Sequence, residues 1–171
     1  RLDGVILPTK RLEIWRDGAL QDIALVDVAV SAQQFVGARA LWEVSGIQEL
    51  FLTQGTPSTI GLSSIAGWSH PITMADTAGL HLILGDGGRQ VRAPIAPGLI
   101  VPVGISHERL IEPGERIPIR HAPTMLALDG ERELLVRQGE HWEVALSWDG
   151  PKVLDVDRTL LLVQRRGLHH G

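Results

Sequence analysis

Short runs in which apolar and polar residues alternate recur along this chain, set apart by Asp-Gly steps. In Arg116-Ile117-Pro118-Ile119-Arg120 the isoleucines share one side and the arginines the other. In His141–Leu146 the residues Trp142, Val144 and Leu146 share a side. A period of two with one polar face predicts half-buried strands. Asp17-Gly18 separates Leu12–Trp15 from Ala19–Ile23, Asp129-Gly130 separates Met125–Leu128 from Glu131–Val136, and Asp149-Gly150 follows Val144–Trp148. Asp-Gly between alternating runs signals a hairpin, because a type I′ turn needs positive φ at both central residues. Three such steps predict a meander of antiparallel strands. Leu99–Val103 is continuously apolar and predicts a buried strand, with Pro102 at an edge or bulge.

Helical patterning is sparse. Gln33–Trp42 could hold one short helix, weakened by Gly37. A better case is Thr56–Gly67, where Thr56 suits an N-cap, Pro57 the first helical position and Gly67 the stop. Leu62, Ile65 and Ala66 supply its apolar stripe. Residues 1–10 read as a connector, 11–166 as one β domain and 167–171 as a tail.

Composition sharpens this in a few places. The 171 residues suit one domain, and 19 glycines with 10 prolines fit many turns between short strands. A net charge of −4, with basic residues scattered, excludes the basic patch that nucleic-acid binding needs. With no cysteine, disulfides and thiolate metal sites are excluded. No apolar run approaches ~20 residues and no signal-peptide pattern opens the chain, so no membrane partner and a cytoplasmic location are expected.

Chemistry has few candidate positions. A helix start at Thr56-Pro57-Ser58-Thr59 would offer unpaired N–H groups and three hydroxyls to an anion, or would simply cap itself; both readings stay open. Gly61-Leu62-Ser63-Ser64-Ile65 resembles a nucleophile elbow but lacks its last glycine and its leading strand, so serine hydrolysis is rejected. Gly85-Asp86-Gly87-Gly88 has no following helix and reads as a hairpin turn rather than a phosphate loop. Asp129-Gly130-Glu131 is either a plain hairpin or a pair of carboxylates beside a substrate. The histidines lack metal-ligand spacing, and His81 reads as a surface or core residue in a strand.

Three stretches, taken in order, resemble the ATP-NAD kinase superfamily, most nearly its acetoin-catabolism protein X (AcoX-like) branch. Thr56–Thr59 with Leu62–Gly67 looks like a shortened T-P-T-G-S-T-A-Y-S-L-S-A-G-G signature. The stretch from Gly37–Trp42 through Ile60–Gly67, and Ala93-Pro94-Ile95-Ala96-Pro97-Gly98-Leu99, look like the AcoX-like branch. Leu126-Ala127-Leu128-Asp129-Gly130-Glu131-Arg132 is similar to the late Asp-Gly motif of NAD kinases and related lipid kinases.

The resemblance implies an antiparallel β-sandwich with one or two short helices, the C-terminal domain of a two-domain protein. The missing N-terminal α/β domain would carry the G-G-D-G-T catalytic loop, absent here, so no catalytic residue is expected in this chain. ATP and Mg2+ are implied for the intact protein only, with none bound by this chain alone. NAD or a related small molecule and a homo-oligomer are the implied partners. Carried over residue by residue, Asp27, Thr56, Ser58 and Thr59 would line the dinucleotide pocket, with Asp129 and Glu131 beside it. The kinases' Asn-Glu pair falls near Val26-Asp27, so the asparagine is gone, and their tyrosine falls at Gly61. Two functions are therefore expected in the alternative: phosphoryl transfer to NAD or a related hydroxyl by the intact protein, or a non-catalytic nucleotide- or metabolite-binding module in acetoin catabolism.

Overall fold

In the computed structural model, which describes residues 4–32 and 44–165, the alternating runs become strands of two facing sheets. In chain order the elements are β1 (Ile6–Leu7), β2 (Arg11–Arg16), β3 (Ala19–Ala24), β4 (Asp27–Ser31), β5 (Ile47–Leu52), α1 (Ser63–Ser69), β6 (Gly79–Ala96) and β7 (Leu99–Ile111). They continue with β8 (Arg116–Pro118), β9 (Thr124–Leu128), β10 (Arg132–Val136), β11 (Trp142–Ser147), β12 (Val153–Leu154) and α2 (Val156–Arg165). A six-stranded sheet runs β10-β9-β4-β5-β6-β7, a four-stranded one β3-β2-β11-β8, and β1 pairs with β12. The chain is mainly β and antiparallel, as expected.

The core explains which alternations were readable. Leu12, Ile14, Ile117, Trp142, Val144 and Leu146 of the smaller sheet meet Val28, Val30, Phe51, Leu126 and Leu128 of the larger one. The smaller sheet is wet on its outer face, so β2 and β8 alternate between buried and open positions. In the larger sheet the opposite face is also dry: Ala29, Leu50, Leu52, Leu80 and Leu82 pack under Ile65 and Ala66 of α1. Strands covered on both faces read as apolar runs, without alternation.

Two Asp-Gly steps turn hairpins as expected. Asp17 and Gly18 have φ of 50° and 80°, Asp129 and Gly130 of 52° and 70°. The third step does not. The Gly150 N–H donates to the Thr9 carbonyl at 3.0 Å, joining the chain after β11 to the residues before β2. A methyl on Gly150 would strike Thr9 and Lys10 backbone oxygens.

Gly85–Gly88 is not a hairpin turn either. Leu84 and Arg89 both register with Ile105, so these glycines form a wide bulge inside β6 while both flanks pair with β7. The bulge needs glycine at Gly88, where an added Cβ would fall on the Ile105 carbonyl. β7 is the sheet edge, which accepts Pro102, but Leu99 and Ile100 are exposed rather than buried.

The helix expected from Thr56 starts instead at Ser63, after Leu62, with no side-chain cap. Thr56–Thr59 is a turn, closed by Thr59 N–H to the Thr56 carbonyl at 3.0 Å. Proline at its second position suits a turn as well as it suits a helix start, and the turn won. Gly67 lies inside α1, where a side chain would collide with the Thr56 carbonyl and Pro57 nitrogen. The possible helix over Gln33–Trp42 and the tail at 167–171 lie outside the described residues.

Residues 4–10, read as a connector, carry β1 and three buried side chains. Lys10 is 1% exposed, and its ammonium donates to the carbonyls of Thr73, Asp76 and Ala78 at 2.9, 2.9 and 2.8 Å. Burial pulls it down to about 8, against the pull of the Asp76 carboxylate. At neutral pH it is still charged, and each of its three protons has an acceptor.

Candidate functional site

One end of the six-stranded sheet gathers three chain segments. β4 opens at Asp27, paired with Leu52 at the end of β5, and Val28 pairs with Leu128 at the end of β9. The β3–β4 connection, the loop after β5 and the β9–β10 turn therefore meet there.

Asp129 ties this end together. Its carboxylate accepts the backbone N–H groups of Leu25, Val26 and Asp27 at 2.8 to 3.1 Å, and its own N–H donates to the Asp27 carbonyl at 3.0 Å. Three successive amides aimed at one carboxylate form an anion nest filled from within the protein. Thr53 braces the same segment, its N–H to the Val26 carbonyl and its hydroxyl to the Leu25 carbonyl at 2.7 Å. Arg132 adds a bond from its guanidinium to the Ile23 carbonyl at 2.7 Å.

The group left over is Asp27. Its carboxyl is partly buried and has no hydrogen-bond or ion-pair partner among the described residues. Burial, reinforced by the neighbouring Asp129 carboxylate, pushes it from its ordinary 3.8 up to about 7. Such a group sits half-protonated at neutral pH and can accept or donate a hydrogen bond to a ligand hydroxyl. The folded chain thus keeps a proton that the unfolded chain has lost, so its stabilising contribution is full below about 3.8 and gone above about 7. Asp27→Asn should remove this dependence. Relative to the parent, the variant should gain about 1–3 kcal/mol between pH 4.5 and pH 8, read by urea unfolding at each pH.

The other expected residues fall as follows. Thr56, Ser58 and Thr59 share the turn that follows Thr53, and their hydroxyls are engaged locally. The Thr56 and Ser58 oxygens are 2.9 Å apart, and Thr59 donates to the Thr56 carbonyl at 2.7 Å. With α1 starting later, the helix-start anion site has no basis. Glu131 is exposed in the β9–β10 turn. The fold thus brings Asp27 and Asp129 together, and gives Asp129 the task of shaping the segment that presents Asp27.

These residues do not fit a magnesium site. Asp129 spends its carboxylate on backbone amides, and among the described residues no three His, Cys, Asp or Glu side chains converge. Sequence reasoning missed a buried polar cluster elsewhere. His81 Nε2 and Glu49 Oε2 lie 2.8 Å apart, His121 approaches Glu49 at 3.3 Å, and Phe51 stacks on His81 with centroids 4.2 Å apart. Phe51 lies opposite His81 in the β5–β6 register, 30 residues away, and His121 comes from 72 residues beyond Glu49, pairings no local pattern discloses. Ser63 and Ser64, weighed and rejected as nucleophiles, are buried inside α1.

One cleft of about 480 Å³ lies between Ile47, Gln48, the β6 bulge and β7, and another of about 420 Å³ between Trp68, Arg89, Arg92 and Ile100. None of the six expected residues lines either.

Residues 10–149 match the family model described as the acetoin catabolism protein X C-terminal domain. The chain is also 37% identical over 168 residues to acetoin catabolism protein X of Cupriavidus necator, a match covering 94% of this chain and 46% of that protein. It therefore spans about half the length of the curated relative it matches. On both findings, the chain belongs to the family of acetoin catabolism protein X C-terminal domains.

Proposed function

We propose that this chain is the acceptor-side domain of an ATP-NAD kinase-like protein that works in acetoin catabolism. A second domain binds ATP and Mg2+, and the pair transfers a phosphoryl group to NAD or a related hydroxyl. Phosphoryl transfer rests on positioning and charge stabilisation, so such a site divides readily between two domains. Here the Asp27 carboxyl meets an acceptor hydroxyl, flanked by the Thr56–Thr59 turn, while Asp129 keeps residues 25–27 in shape. Glu131, exposed on the adjoining turn, stands at the rim, and a homo-oligomer completes the working form.

The observation that carries this reading is Asp27, a partly buried carboxyl near neutral pKa with no partner among the described residues, at a sheet end shaped by the Asp-Gly motif. Its supports are the resemblance of the Thr56–Gly67 and Leu126–Arg132 stretches to the kinases, and the family membership. The test is transfer of label from γ-labelled ATP to NAD by the full-length protein. Labelled product supports the reading. Saturable NAD binding without labelled product would reassign the chain to a nucleotide-binding regulatory module.

A further inference from the structure

The cleft beside Trp68 runs along an open stretch of sheet edge. β6 outruns its neighbour β5, which pairs with it from Leu80 to Ile83, so the later half of β6 is laddered to β7 alone. There Arg92 stands opposite Pro102 and Pro94 opposite Ile100. A proline has no N–H to give, so neither is a hydrogen-bonded pair, and the N–H and C=O of Arg92 turn away from β7. The Pro94 carbonyl, turned the same way, accepts the Gly61 N–H at 3.1 Å. Arg92 takes no such backbone partner among the described residues. Trp68, near the end of α1, forms the facing wall of the cleft.

The walls offer two kinds of contact. Trp68 is 54% exposed and Ile100 55%, so an indole and an aliphatic chain both stand open to the cleft. Two guanidiniums share the rim, and they are not equivalent. Arg89 is spent, donating to the Glu108 carboxylate at 2.6 Å and to the Ser69 carbonyl at 3.2 Å. His70 lies 3.5 Å from the other Glu108 oxygen, so that carboxylate is shared as well. Arg92 is exposed, with no hydrogen-bond or ion-pair partner among the described residues. Its planar fork of donors matches the oxygens of a carboxylate or a phosphate, and an indole stacks on flat rings. A volume of about 420 Å³ is that of a small-molecule pocket.

We propose that this cleft binds a small organic anion in which a flat ring adjoins a carboxylate or phosphate. The ring lies against Trp68 and Ile100, and the Arg92 guanidinium takes the charged group. Arg89 is a positioning residue: tied to Ser69, it holds the end of α1, and Trp68 with it, beside β6. The site is separate from the sheet end that presents Asp27 and shares no residue with it.

The test is calorimetric titration of the full-length protein with 1-naphthoate and 1-naphthyl phosphate, which separate the two anion types, and with neutral 1-naphthalenemethanol. Saturable binding of at least one anion is expected, about tenfold weaker in Arg92→Gln and about fivefold weaker in Trp68→Leu. Asp27→Asn should bind as the parent does. Both substituted side chains are exposed, so the variants should match the parent by circular dichroism. The alcohol should bind about tenfold more weakly than the better anion. Equal affinity for the alcohol would reduce the cleft to an apolar patch and overturn the proposal. No binding of either anion, as when the rest of the full-length protein covers the cleft, overturns it too, and so do equal affinities in parent and Arg92→Gln. Weakening by Asp27→Asn would place the probes at the sheet end and overturn it as well.

Discussion

Replacing Lys10 by methionine is expected to destabilise the chain by about 2–3 kcal/mol, the cost of leaving buried acceptors without their donor. The methionine stem would fill much of the same space, so the loss is not one of packing. It comes from the carbonyls of Thr73, Asp76 and Ala78, which keep their places in the Thr73–Ala78 loop but lose the donor that satisfies them. Lys10→Arg should not rescue, because a planar guanidinium cannot point three protons at carbonyls arranged around a single nitrogen. Urea unfolding monitored by tryptophan fluorescence reads both variants. A loss under about 1 kcal/mol for Lys10→Met would mean that the loop relaxes and the lock is dispensable.

Asp129→Ala should cost about 2–4 kcal/mol, since three backbone amides lose a charged acceptor at once. Part of the loss is conformational. Asp129 has a φ of 52°, a left-handed position that Asp and Asn tolerate better than Ala. Asp129→Asn keeps the conformation and one acceptor oxygen, and should recover about half of the loss. The order parent, Asn, Ala in urea midpoint is the expected result. Equal midpoints for Asn and Ala would show that charge alone holds the nest.

The smaller sheet was legible because its strands have one wet face. Trp142, Val144 and Leu146 are buried as their spacing foretold, and Ile117 is buried between the exposed Arg116 and Pro118. The hairpins at Asp17-Gly18 and Asp129-Gly130 were legible because type I′ turns have few alternatives in sequence. Where two structures share one local signal, the reading failed. Pro57 serves a turn as well as a helix start, and a glycine run serves a bulge as well as a hairpin. Asp149-Gly150 failed for a different reason: its partner, Thr9, is 141 residues away. α2 had a signal that went unread, with Asp155 as cap, Asp157 in the first turn and Arg165 in the last.

The resemblance named Asp27 and Asp129, and the fold brings the two together at one end of the larger sheet. Nothing in the sequence says that Asp129 turns inward onto the amides of 25–27 while Asp27 is left without a partner among the described residues. That division depends on β4 pairing with both β5 and β9, a contact between residues about a hundred positions apart. The same register explains why Thr53, absent from every motif, braces the site. It is simply the next residue after Leu52, which lies opposite Asp27.

Calorimetric titration of NAD into the full-length protein reads whether Asp27 faces a dinucleotide acceptor. If it does, the parent binds saturably and Asp27→Asn binds about tenfold more weakly, a difference of about 1.4 kcal/mol, with both proteins equally folded by circular dichroism. Equal affinities in parent and variant, or no heat of binding in either, would contradict it.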